Sequence, residues 1–275
     1  MNIDGHTKMY CLIGSPVGHS GSPAMYNYSF DRLGINSAYL AYDVPLEKTG
    51  EAVAALRLLG CGGFNVTMPC KTEVTKYLDR LSPACELIGA SNCVVVEADG
   101  TLTGHNTDGL GFVANLRVHG VDVKGRRMVI LGAGGAGTAV TMQSAVDGAS
   151  EIHIFNRKGY TFYPNAELTV TDLADKEALA EAVRNCDILV NATKVGMAPL
   201  DGETLIDPSL FRADLVVADT VYNPKETRMI LEAKAAGVKA AIGGIGMLLR
   251  QGVEGFRLYT GREMPADEVM DKFFA

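Results

Sequence analysis

The stretch MVILGAGGAGTAV, residues 128–140, constrains this chain more than any other. An apolar run enters a glycine-rich turn, Gly132-Ala133-Gly134-Gly135-Ala136-Gly137, and leaves as a helix-forming segment. The turn fits G-x-G-x-x-G, with Gly132, Gly134 and Gly137 in the three glycine places. The first permits a tight turn, the second lets backbone approach a pyrophosphate, and the third lets helix and strand pack closely. The helix N-terminus that follows offers free N–H groups and a partial positive charge to phosphates. The pattern predicts a dinucleotide-binding βαβ unit; a glycine turn in an α/β protein without cofactor is the alternative.

Apolar runs alternate with helical patterns almost throughout. KMYCLIG, SAYLAYDV and GFNVT read as strands, with SPAMYNYSFDRLG and LEKTGEAVAALRLLG as helices, each ending in Gly. NCVVVEADGTLTGHNTDG reads as a hairpin turning at Asp99-Gly100. After the glycine turn come strands EIHIFN and LTVTDL, helix DKEALAEAVRNC, strands DILVNAT and LVVADTVY, helix KETRMILEAKAAG, and KAAIGG. Such alternation predicts an α/β fold with parallel sheets and right-handed crossovers. The boundary falls near HNTDGLG, giving a first domain over 1–107, to which helices in 247–275 return, and a second over 108–246. Between EIHIFN and ELTV only RKGYTFYPNA intervenes, with a Pro and no helical pattern. A parallel crossover usually needs a dozen or more residues with a helix. This one is either stripped down or short of residues that such connections ordinarily have.

The 275 residues, 47% hydrophobic and 21% charged, suffice for a real core. A net charge of −7 without a Lys/Arg run argues against a nucleic-acid partner. No apolar run approaches the roughly 20 residues of a membrane helix, and MNIDGHTKMY lacks the apolar core of a signal peptide. Six scattered cysteines without a C-x-x-C pair predict reduced thiols and a cytoplasmic chain. The five histidines show no metal-ligand spacing, so no metal is expected.

The strand after the glycine turn ends in Asn156, Arg157 and Lys158. NAD-specific sites carry an acid about 20 residues beyond the fingerprint for the ribose 2′-hydroxyl. Two cations and no carboxylate here favour a 2′-phosphate, hence NADP, with NAD possible; two solvated charges are the plainer reading. In the first half, Ser20 and Ser22 flank a glycine at a helix start, where serines ordinarily cap. Asn65, Thr67, Lys71, Asn92, Asn106, Thr107 and Asp108 sit at strand or helix ends. Singly each reads as a cap or turn residue; together they suggest a pocket for a small, oxygen-rich molecule.

The motifs SPVGHSGSP, NVTMPCK, GASN, HNTDG, GAGGAG, NR, VYNP and GMLLRQG, in this order over essentially the whole chain, resemble the shikimate dehydrogenase family, including its quinate/shikimate branch. The resemblance implies an N-terminal α/β substrate domain, a C-terminal Rossmann-type doubly wound parallel sheet domain, and reversible oxidation of the C3 hydroxyl of shikimate with NADP or, in some branches, NAD. It implies Lys71 and Asp108 as the catalytic pair. Ser20, Ser22, Thr67, Asn92, Thr107, Tyr222 and Gln251 would hold the substrate. Gly132 through Gly137 (with Ala133, Gly135 and Ala136), Asn156, Arg157, Lys158, Thr193, Val221, Gly244 and Met247 would meet the cofactor. Asp108 is expected mainly to orient Lys71 and hold the substrate hydroxyl. Two departures stand out: Tyr26 replaces a frequent His, nearer the quinate/shikimate branch, and Lys158 follows N-R where a Thr is common. The resemblance implies a small-molecule partner and a monomer or homodimer. The remaining alternatives are a quinate/shikimate dehydrogenase and a non-catalytic sensor of nucleotide and ring acid.

Overall fold

The computed structural model describes residues 3–157 and 167–274, with Glu167 described by its backbone alone. It divides the chain into two compact units, 1–107 with 251–275, and 108–250.

The first unit opens with strand β1 (Lys8–Gly14), helix α1 (Ser22–Arg32), β2 (Ser37–Asp43), α2 (Thr49–Leu58) and β3 (Gly63–Val66). Then follow β4 (Arg80–Leu81), α3 (Pro83–Ile88), β5 (Cys93–Val96) and β6 (Leu102–His105). The sheet runs β2-β1-β3-β5-β6-β4. β1 pairs parallel with β2 and β3, whereas β5 lies antiparallel to both β3 and β6. This sheet is therefore mixed: the expected parallel pairing holds for its first half and for β4 with β6, the hairpin expected at Asp99-Gly100 forms between β5 and β6, and the antiparallel pairing of β3 with β5 departs from the expected parallel sheet. The short connection of the hairpin admits only antiparallel strands. Its core gathers Cys11, Ile13, Phe64, Val66, Val94 and Leu102.

The second unit contains α4 (Asp108–Val118), β7 (Arg127–Leu131), α5 (Gly135–Val146), β8 (Glu151–Asn156), β9 (Glu167–Asp172) and α6 (Lys176–Asn185). β10 (Ile188–Asn191), β11 (Val216–Asp219), α7 (Arg228–Ala235) and β12 (Ala240–Ile242) complete it. All its pairings are parallel, in the order β9-β8-β7-β10-β11-β12. That is the 3-2-1-4-5-6 order of a doubly wound sheet. Alternate residues of one strand serve opposite cores: Met128 and Ile130 join Phe112 and Val140, while Val129 and Leu131 join Leu179 and Met229. Burial on both faces explains why these strands read as unbroken apolar runs. The short connection of β8 to β9 falls largely on 158–166, outside the described residues, as does Lys158.

Helix α8 (Ile245–Thr260) follows β12, and the division of the units falls within it, between Arg250 and Gln251. Its later part belongs to the first unit, where the rings of Phe256 and Tyr259 pack at a tilt around Tyr26. The final helix, α9 (Ala266–Phe273), joins α1 through Glu268, which accepts from Arg32 and Tyr28. No helix among the described residues is long and apolar enough to cross a membrane.

Candidate active site

In the first unit the candidate residues gather at the carboxyl ends of β1 and β3. Two main-chain bonds stitch the loops leaving these strands: Thr67 N–H donates to the Ile13 carbonyl and Ser15 N–H to the Met68 carbonyl, each at 2.9 Å. Gly14 makes this approach possible. Its φ is +151°, and a Cβ there would lie 2.5 Å from Thr67 Cγ2, closer than any side chain tolerates. The first loop carries Ser20 and runs into α1 at Ser22. Ser20 Oγ accepts from Ser22 N–H at 3.2 Å, yet the residue preceding α1 is Gly21, and no side chain caps the helix.

The second loop carries Lys71, half-buried, just after Cys70, whose N–H returns to the Thr67 carbonyl. The Lys71 carbonyl accepts from Ser91 N–H at 2.9 Å, tying NVTMPCK to GASN. The adjacent Asn92 is a junction. Its Oδ1 accepts from Thr107 N–H at 2.8 Å, and its Nδ2 donates to Thr107 Oγ1 at 3.0 Å and to Gln251 Oε1 at 3.4 Å. Lys71, Asn92, Thr107 and Gln251 thus come from four separated segments of one unit. Two residues singled out in the sequence do other work. Asn65, 5% exposed, spends both ends of its amide internally, and buried Asn106 donates to the Ala90 carbonyl.

In the second unit Asp108 is the buried first residue of α4, directly after Thr107. Between β7 and β10 the strand order reverses, the position where open α/β sheets bind ligands at their carboxyl ends. The Gly132–Gly137 turn leaves β7 there. A Cβ on Gly137 would fall 2.1 Å from the Gly132 carbonyl oxygen, so no side chain fits. Helix α5 has no side-chain cap, Gly134 and Gly135 face solvent, and nothing stands within 4 Å of where their Cβ atoms would be. Uncapped N–H groups and open space at one helix start fit a pyrophosphate. Asn156 ends β8 and Arg157 is exposed beyond it. Opposite Asn156 in register stands Asp172, a strand-end carboxylate that sequence spacing from the fingerprint did not reveal.

A buried network missed by sequence reasoning holds the neighbouring loops. Asp219, at the end of β11, accepts from Asn191 Nδ2 (3.0 Å), Val221 N–H (2.9 Å) and Thr227 Oγ1 (2.7 Å). Asn191 Oδ1 in turn accepts from the Thr193 hydroxyl at 2.7 Å. Thr193 and Val221 are thereby fixed from beneath. Burial pushes the Asp219 carboxyl up to about 6, against the hydrogen bonds it accepts. Gly244 N–H donates to the Val221 carbonyl at 3.2 Å, which joins a third expected residue to this edge. Met247 is buried in the core with Phe112, whereas Tyr222 stands 40% exposed. A crevice edged by Arg127, Glu151 and His153 lies instead at the amino ends of β7 and β8. Among the described residues no group of three or more His, Cys, Asp or Glu could hold a metal.

A doubly wound sheet with an open glycine turn at its reversal, in one chain with a unit bearing a lysine and a polar junction, defines a two-unit oxidoreductase of the dinucleotide-binding α/β class. Comparison with known proteins narrows the class. Residues 12–94 match the shikimate dehydrogenase substrate binding domain, and residues 244–272 the shikimate 5′-dehydrogenase C-terminal domain. A Streptococcus uberis protein named shikimate dehydrogenase (NADP(+)) is 47% identical over 99% of this chain and 97% of its own length. A shikimate 5-dehydrogenase from Listeria monocytogenes, solved in complex with shikimate and NAD, superposes with a TM-score of 0.94 at 42% identity, covering 100% of this chain and 99% of that one. A shikimate dehydrogenase solved in complex with NADP+ does so at 0.87 and 37%, covering 98% and 96%. The chain belongs to the shikimate dehydrogenase family.

Proposed function

We propose that this protein catalyses the reversible NADP-dependent oxidation of shikimate at its C3 hydroxyl to 3-dehydroshikimate, a step toward aromatic amino acids. The observation that carries this is the Asn92–Thr107–Gln251 junction beside the Lys71 segment, within a unit whose residues 12–94 match a substrate binding domain. Three amides and hydroxyls held by one another present fixed donors and acceptors, as recognition of a polyhydroxylated ring acid requires. Ser20, Ser22 and Thr67, on the stitched loops, supply further hydroxyls for its carboxylate and ring oxygens, with Tyr222 from the loop after β11.

Oxidising a secondary alcohol requires that its hydroxyl proton leave as the hydride does, so a proton acceptor must sit within hydrogen-bond reach of that oxygen. Lys71 and Asp108 fill this role together. In the reducing direction the lysine ammonium gives a proton to the forming alkoxide, and in the oxidising direction the neutral amine accepts it. Asp108 orients that amine and holds the hydroxyl. Bound NADP supplies the hydride acceptor. The chain's part is to seat it: the α5 start for the pyrophosphate, Asn156, Arg157 and Lys158 toward the adenosine 2′-phosphate, and Thr193, Val221, Gly244 and Met247 toward the nicotinamide end.

The test is absorbance of reduced nicotinamide on mixing purified protein with shikimate or quinate and NADP or NAD, in all four combinations. Turnover is expected to be highest with shikimate and NADP. A preference for quinate would mark a quinate/shikimate dehydrogenase, and silence in all four a ligand sensor. The working form is a monomer or homodimer in the cytoplasm, a setting that suits six buried cysteines outside any disulfide; sedimentation velocity reads the assembly.

A further inference from the structure

Two buried tyrosines close a circuit behind the substrate-side residues of the first unit. Tyr39, in β2 and wholly without solvent exposure, donates its hydroxyl to Asn65 Oδ1 at 2.7 Å. Asn65 Nδ2 donates to the Asn92 carbonyl at 3.1 Å. The Asn92 side chain reaches Thr107 and Gln251, as described. One residue along α8, the Gly252 carbonyl accepts from the Tyr26 hydroxyl at 3.0 Å. Tyr26 stacks on Tyr39 with ring centroids 4.3 Å apart, which completes the ring of contacts.

The circuit has little slack. Asn27, next to Tyr26, clamps the Tyr39 backbone on both sides, donating to its carbonyl and accepting from its N–H at 2.8 Å each. Helix α8 meets α1 at glycines: a Cβ on Gly252 would lie 2.3 Å from Met25 Cε, and one on Gly255 2.7 Å from the Tyr26 hydroxyl. Buried hydrogen-bond networks of this kind hold their members in one arrangement because any shift leaves a desolvated polar group unpaired. We propose that Tyr39 and Tyr26 are positioning residues that set Asn92 against Gln251 and thereby decide which hydroxylated ring acid the protein accepts. This rests on the function proposed above. It gives Tyr26 a route to selectivity although its side chain, 1% exposed, is buried among Tyr39, Phe30 and Phe256.

Tyr39→Phe deletes one oxygen and keeps the ring stack. Tyr10→Phe is the control. The Tyr10 hydroxyl donates to the Tyr259 carbonyl at 3.3 Å in the same aromatic core but outside the circuit. With wild-type turnover on shikimate measured first, Tyr39→Phe is expected to raise KM for shikimate roughly tenfold, the scale of one mis-set buried hydrogen bond. Its kcat and its KM for NADP should stay within about twofold, and its preference for shikimate over quinate should fall. Tyr10→Phe should leave all of these unchanged. A wild-type KM and selectivity in Tyr39→Phe, or equal losses in Tyr10→Phe, would overturn the proposal. Should Tyr39→Phe not fold, Tyr26→Phe, which keeps the Tyr39 hydroxyl on Asn65, is judged by the same criteria. Absence of wild-type turnover would sink the proposed function, and this inference with it.

Discussion

Lys71, proposed above as the acid–base group, is fixed through its main chain. The segment before it turns back on Thr67, its own carbonyl is held by Ser91, and Cys70 beside it is sealed into the core. Lys71→Ala should therefore leave the fold intact while turnover falls about 10²–10⁴-fold, the usual share of a general acid–base group. KM for shikimate should change less, and near-normal kcat would reduce Lys71 to a surface charge. The glycines of the turn have a local signature in the sequence, whereas the role of Lys71 was implied only by the family resemblance. Asp219, Asn191 and Tyr39 had neither. A polar residue ending an apolar run looks like a cap, and only the pairing of β10 with β11, far apart in the chain, turns Asn191 and Asp219 into partners.

Among elements, helices with a cap and an apolar stripe were readable. Asp175 accepts from Ala178 N–H at the start of α6 and Thr227 from Ile230 N–H at α7. Strand β4 was not, because two residues carry no periodicity and its parallel pairing to β6 is a tertiary event. The carboxyl ends of β10 and β11 carry the clearest pH consequence. Burial raises the Asp219 carboxyl from 3.8 to about 6, so the folded protein holds this proton more tightly than the unfolded chain. The contribution to stability is then greatest below pH 4 and is lost as pH rises through about 6, a cost of about 3 kcal/mol when complete. Asp219→Asn keeps the acceptor for Val221 and removes the charge. In thermal melts its Tm relative to wild type should climb between pH 4 and 6 and then level off; a constant difference across that range would contradict the burial effect.

For the molecule as a whole, the order of the second sheet could be anticipated from one glycine turn, since strand, turn and helix repeat in chain order and crossovers share one hand. The mixed sheet of the first unit could be anticipated only in part, because it depends on which strand the hairpin adds to. A ligand that binds only the native state stabilises it by mass action. NADP at a hundred times its Kd should contribute about 2.7 kcal/mol and raise Tm by several degrees. Arg157→Ala should shrink that rise with NADP and leave any rise with NAD alone; equal loss with both would remove Arg157 from phosphate recognition. The buried thiols have a use of their own. Cys11, Cys61, Cys70, Cys85 and Cys93 belong to one unit and Cys186 to the other, all buried and none in a disulfide. An alkylating reagent added along a denaturant series therefore becomes a clock with two hands: a mass gain of one adduct times the opening of the doubly wound sheet, and a gain of five times that of its companion.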